Sequence, residues 1–127
     1  MSNEKLIKKY FDFLKRKGFK RRELFRNGDS EITYSKKGMI INVRCELGFS
    51  YVPLTDNFDD YSKNASYVVS VIIKHDYQVD NLLYCDLFEK QSRMKLKSDI
   101  DKIEKQDIEQ ILKIYSRFII ENESYIK

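Results

Sequence analysis

Histidine, cysteine and paired carboxylates are the side chains that most often run acid–base, nucleophilic or metal chemistry. This chain of 127 residues holds few of them at useful spacing. His75 is the only histidine, which excludes a multi-histidine metal site. It follows an apolar run and precedes Asp76, so the expected role is that of a half-exposed histidine at a strand end. Of the two cysteines, Cys45 falls on the apolar face of an alternating segment and reads as a small buried hydrophobe. Cys85 is followed by Asp86, and an adjacent carboxylate works against the positive field that makes a thiol reactive. Asp59–Asp60 and the Asp99/Asp101 pair lack the ligand spacing of a calcium loop. The four glycines are well separated and form no phosphate-cradling run. No catalytic residue, metal or cofactor is expected, and the chain reads as a non-enzyme.

Two charged segments could instead make an interface. Lys15, Arg16, Lys17, Lys20, Arg21, Arg22 and Arg26 occupy one stretch against a single acid, Glu23. Phe19 and Phe25 are interleaved with these cations, so charge and stacking could both meet a nucleic acid. Lys15, Arg16, Lys20, Arg21, Arg22 and Arg26 are therefore the candidates for nucleic-acid binding. The opposite case is Asp56-Asn57-Phe58-Asp59-Asp60-Tyr61. Aromatic rings flanked by carboxylates suit a protein interface that meets basic residues, and Asp56, Asp59, Asp60 and Tyr61 are the candidates there. The net charge of +4 is too mild to demand an anionic partner.

The elements that must position these residues follow from periodicity. Leu6, Ile7, Tyr10, Phe11 and Leu14 recur at steps of three and four, predicting a helix over 3–17 capped by Ser2 or Asn3. Gly18 suits its left-handed stop, with Phe19 folding back. Phe19, Leu24 and Phe25 are compatible with a short strand before the Asn27-Gly28-Asp29 turn. Alternation then gives a strand over 31–35, a turn at Lys36-Lys37-Gly38, and a strong strand over 39–47. Gly48 marks an expected bend, with a third strand over 49–55 that either lies at an edge or stops near Pro53. Residues 55–66 read as a polar loop, and 67–76, rich in Val and Ile, as an internal strand. Residues 77–94 are ambiguous, with Val79, Leu82, Leu83, Leu87 and Phe88 fitting a short helix somewhat better than a strand. A long helix is expected over 99–125, opened by Ser98 with Asp101, and a break near 105–107 could let Asp107 cap a helix of its own.

Helices at both ends around antiparallel strands predict one α+β domain: two layers, about four strands, both helices on one face. No apolar run approaches the roughly 20 residues that cross a bilayer. No secretory signal follows the amino terminus, so the cytoplasm is the expected location.

Three stretches carry a resemblance. They are Tyr10-Phe11-Asp12-Phe13-Leu14-Lys15-Arg16-Lys17-Gly18-Phe19, the hairpin from Glu31 to Val43, and Ile111 to Ile120. Together they resemble small bacterial α+β proteins, many of them immunity-like. That resemblance implies binding and neutralising a cognate toxin, or service as an accessory interaction protein. It assigns no site residue. The leading expectation is a protein-binding module of this type, and the alternative is a nucleic-acid-binding regulator using residues 15–26. The oligomeric state is left open.

Overall fold

The computed structural model describes residues 2–26, 29–53 and 61–126. Helix α1 spans Asn3–Phe11 and opens at Ser2, whose hydroxyl accepts the Lys5 N–H at 3.3 Å. This satisfies one of the donors that every helix start leaves over. Leu6, Ile7 and Phe11 are its buried stripe. The single helix expected over 3–17 is instead divided at Asp12, after which α2 spans Phe13–Arg16. The Lys15 N–H turns back to the Asp12 carbonyl at 3.0 Å, a tighter three-residue closure. Gly18, at φ +95°, ends the segment as expected. The Gly18 N–H reaches the Lys15 carbonyl and the Phe19 N–H the Leu14 carbonyl, both at 3.1 Å, the paired bonds of a left-handed helix stop.

Five antiparallel strands follow in sheet order β1-β2-β3-β4-β5: β1 Lys20–Arg26, β2 Asp29–Lys36, β3 Met39–Pro53, β4 Tyr61–His75 and β5 Gln78–Asn81. The α+β architecture is as expected, with five strands in place of four. One row of partners crosses the whole sheet: Arg22, Thr33, Asn42, Ile72 and Asn81. Gly48 does not bend the chain. The strands expected over 39–47 and 49–55 are one, and Gly48 pairs with Ser66 inside it. The strand stops at Pro53, one of the two expected outcomes. β3 is internal to the sheet over Met39–Cys45, but near Pro53 β4 is its one described partner, so the missing N–H costs little there. Of the expected polar loop over 55–66, residues 61–66 belong to β4. Ser62, Lys63 and Asn64 have little intrinsic liking for a strand, so their pairing with β3 decides their state.

The ambiguous stretch 77–94 contains three different elements. These are β5, a 3₁₀ turn over Leu82–Tyr84 whose Leu83 N–H is capped by Asn81 Oδ1 at 3.0 Å, and the start of helix α3, Lys90–Asp101. Ser98 and Asp101 therefore lie in the last turns of a helix and do not open one. The break near 105–107 is real. Asp107 Oδ1 accepts the Gln110 N–H at 3.2 Å and starts α4, Ile108–Glu121.

The helices share one face of the sheet, α1 touching β2 and α4 touching β4. Between them lie Phe11, Leu14, Leu112 and Ile119 from the helices, and Ile32, Tyr34, Ile41, Val43, Val71 and Ile73 from the strands, all fully buried. Burial of each such side chain contributes about 1.5–3 kcal/mol. The opposite face of the sheet has no layer on it among the described residues.

Candidate functional site

The residues with chemical potential are largely committed to packing. Cys45 is fully buried on the helix-facing side of β3, and desolvation pushes its thiol up to about 12. Cys85 is also fully buried, and burial raises its pKa. The thiolate is the nucleophile, so both cysteines are held in the inert form. His75 ends β4, with its Nδ1 3.7 Å from Asp76 Oδ2. Its Nε2 is buried without a hydrogen-bond partner among the described residues. No group of three or more His, Cys, Asp or Glu among those residues is placed to hold a metal ion.

The basic stretch is divided by the two-residue period of β1. Lys20 and Arg22 point to the open face, while Arg21 and Glu23 point toward α1. Arg21 Nη1 sits 2.6 Å from Asp12 Oδ2, and Asp12 Oδ1 accepts the Tyr34 hydroxyl at 2.9 Å. Glu23 joins Arg21 at 3.3 Å and Lys8 at 2.5 Å. Arg21 thus locks the α1–α2 break onto the sheet, and it is not offered to a partner. Lys15 and Arg16 are exposed on α2. Arg26 closes β1, and its side chain lies outside the described residues.

What the sheet adds to the stretch is invisible in sequence order. In the row next to Arg22, Lys20 faces Ser35, Ser35 faces Ile40, and Ile40 faces Lys74. Lys37 occupies the β2–β3 turn at the same end of the sheet. Lys20, Lys36, Lys37, Lys74 and Asp76 border a concave region of about 660 Å³. Further along the open face, Asn42 is only 7% exposed. Its Nδ2 donates to Glu31 Oε1 and Thr33 Oγ1, both at 2.8 Å, while Arg44 Nε donates to Asn42 Oδ1 at 2.5 Å. Arg44 also lies 3.4 Å from Glu31. This network ties Glu31, Thr33, Asn42 and Arg44 to one another across β2 and β3 at the centre of the open face.

The acidic candidates Asp56, Asp59 and Asp60 lie outside the described residues. Tyr61 opens β4, opposite Pro53. They follow a second feature that sequence reading missed. β2 pairs with β3 only between Met39 and Cys45, and β5 pairs with β4 only between Ile72 and His75. The β3–β4 pairing continues to Pro53 opposite Tyr61. The pair therefore runs on as a two-stranded ribbon, from Glu46–Val68 to Pro53–Tyr61, over roughly 25 Å. Asp29 Oδ1 takes the Leu47 N–H at 2.6 Å at the ribbon's root. Past that bond, no described strand flanks either edge.

No protein-family model, no curated protein and no solved structure matches the chain. No helix among the described residues is long and apolar enough to cross a membrane.

Proposed function

We propose that the chain is a non-enzymatic protein-binding module and that the β3–β4 ribbon is the element that engages its partner. The observation that carries this reading is that no third strand flanks the ribbon among the described residues. A two-stranded hairpin is marginal in water by itself, and its unpaired edges offer N–H and C=O groups to any extended segment that adds a strand. Val68, at the ribbon root on the open face, is 57% exposed, an apolar contact ready for such a segment.

The residues joining the two ribbon strands include Asp56, Asp59 and Asp60, which would favour a partner with a basic surface. The resemblance to immunity-like bacterial proteins gives the finer version of the proposal: the partner is a toxin, and binding neutralises it.

A photo-crosslinking residue placed at Val68 in the full chain, expressed in its own cell, is expected to form one discrete protein adduct. The same residue placed at Lys102, on the helical layer, is expected to form none. Equal adducts from both positions, or none from Val68, would overturn the ribbon assignment. If the captured protein arrests growth when expressed alone, co-expression of this chain should restore growth; failure to restore it sinks the neutralising role.

A further inference from the structure

We infer that the turn-bearing end of the open sheet face binds single-stranded nucleic acid, with Lys20, Arg22, Lys37 and Lys74 on the phosphates and Tyr77 stacked on a base. The site is separate from the ribbon, and its failure would leave the protein-binding reading untouched.

Lys20 and Lys74 lie in one row on strands β1 and β4. Three strand spacings put their Cα atoms roughly 14 Å apart. That separation lets successive phosphates of one chain follow the row. Arg22 extends the track by two residues along β1, roughly 7 Å. Lys37 closes it at the β2–β3 turn.

All four cations are exposed, and none has an acid within ion-pair distance among the described residues. Their neighbours contrast with them. Lys36 donates to the Lys17 carbonyl at 2.9 Å and lies over the Phe19 ring, and Arg21 is taken by Asp12. The fold gains nothing from setting Lys20, Lys37 and Lys74 around one concavity, since like charges repel. Among the described residues, Asp76 is the one acid bordering that region.

Tyr77, the residue after Asp76, is fully exposed at the β4–β5 turn. An exposed tyrosine in the turn three residues after Lys74, at the same end of the sheet as the cations, is the kind of pairing that single strands use. Every unpaired base offers a face to stack, and the backbone follows the charge. A duplex hides its base faces and could use only the four cations. The open-face rows nearest the cations carry Ser35, Ile40, Thr33 and Asn42, with no other aromatic ring, so the inferred binding has little sequence preference.

The test is fluorescence anisotropy of the full chain with a labelled oligothymidylate of about 16 nucleotides across a salt series. If four phosphates are neutralised, log K should fall against log salt with a slope of about −2.8. The Lys37→Gln/Lys74→Gln double variant should flatten that slope by about 1.4. Tyr77→Ala should weaken binding about tenfold with the slope unchanged. Lys102→Gln/Lys105→Gln, on the helical side, should change neither quantity. Absence of binding at the lowest salt, a duplex bound as tightly as the single strand, or a slope indifferent to Lys37 and Lys74 would each overturn the inference.

Discussion

Asp12 holds two layers together with one carboxylate, and removing it gives a sharp test of where Arg21 belongs. Tyr34 is fully buried, and its hydroxyl donates to Asp12 Oδ1 at 2.9 Å. Asp12→Ala leaves that hydroxyl without its acceptor, a loss of about 1–3 kcal/mol. The Arg21 pair has 24% and 36% exposed side chains and contributes only about 0.5–1 kcal/mol after solvent screening. Alanine returns at most about 0.5 kcal/mol through its better helix propensity. The net expectation is a destabilisation of about 2 kcal/mol by this arithmetic. Asp12→Asn, which keeps an acceptor, should lose about 1 kcal/mol. Tyr34→Phe should also lose about 1 kcal/mol, and combined with Asp12→Ala it should fall short of additivity by a similar amount. Urea unfolding followed by far-UV circular dichroism measures all of these. A loss under about 0.5 kcal/mol for Asp12→Ala, or full additivity in the double variant, would refute the claim that this carboxylate joins helix to sheet.

Three other expectations follow from the same geometry. Burial pushes Cys45 and Tyr115 up to about 12 and raises Tyr34 further, aided by its bond to Asp12. The folded state keeps protons that the unfolded chain releases near pH 9–10. Stability should therefore be full below that range and fall above it by up to about 1.4 kcal/mol per pH unit per group, and urea midpoints that stay flat to pH 11 would contradict this. Both thiols are fully buried, so DTNB should label Cys45 and Cys85 only as fast as the protein opens, with complete reaction in denaturant; prompt labelling of the native chain would place a thiol at the surface. Gly38 has φ +80° with open space where a Cβ would sit, so Gly38→Ala should lose about 1–2 kcal/mol from backbone strain alone, and a neutral result in thermal denaturation would mean that the turn relaxes.

Much of the fold was legible from local signals. The apolar stripe of α1, the Gly18 stop, the β2–β3 hairpin and the Asp107 cap are each written within a few residues. Their physics is local: side-chain period, cap hydrogen bonds and the freedom of glycine at positive φ. Signals that depended on what stands opposite were misread. Gly48 looked like a bend, but β4 supplies its ladder and the strand continues to Pro53. Residues 61–66 looked like a polar loop, yet they are strand because β3 faces them. Ser98 and Asp101 looked like a helix start, and packing put them at the end of α3.

The candidate surfaces divide in the same way. By itself the sequence determined the supply of charge, the shortage of catalytic groups and the burial of Cys45, because composition and alternation are properties of neighbouring residues. Only the tertiary structure decided which charges act together. Strand register joined Lys20 to Lys74 across more than fifty positions of chain, and a helix-facing β1 position tied Arg21 to Asp12 and Glu23. The unequal lengths of β2, β3, β4 and β5 left the ribbon unflanked among the described residues. Strand pairing brings distant segments together for hydrogen bonds and cross-strand contacts that no local pattern encodes, and every surface proposed for this protein depends on it.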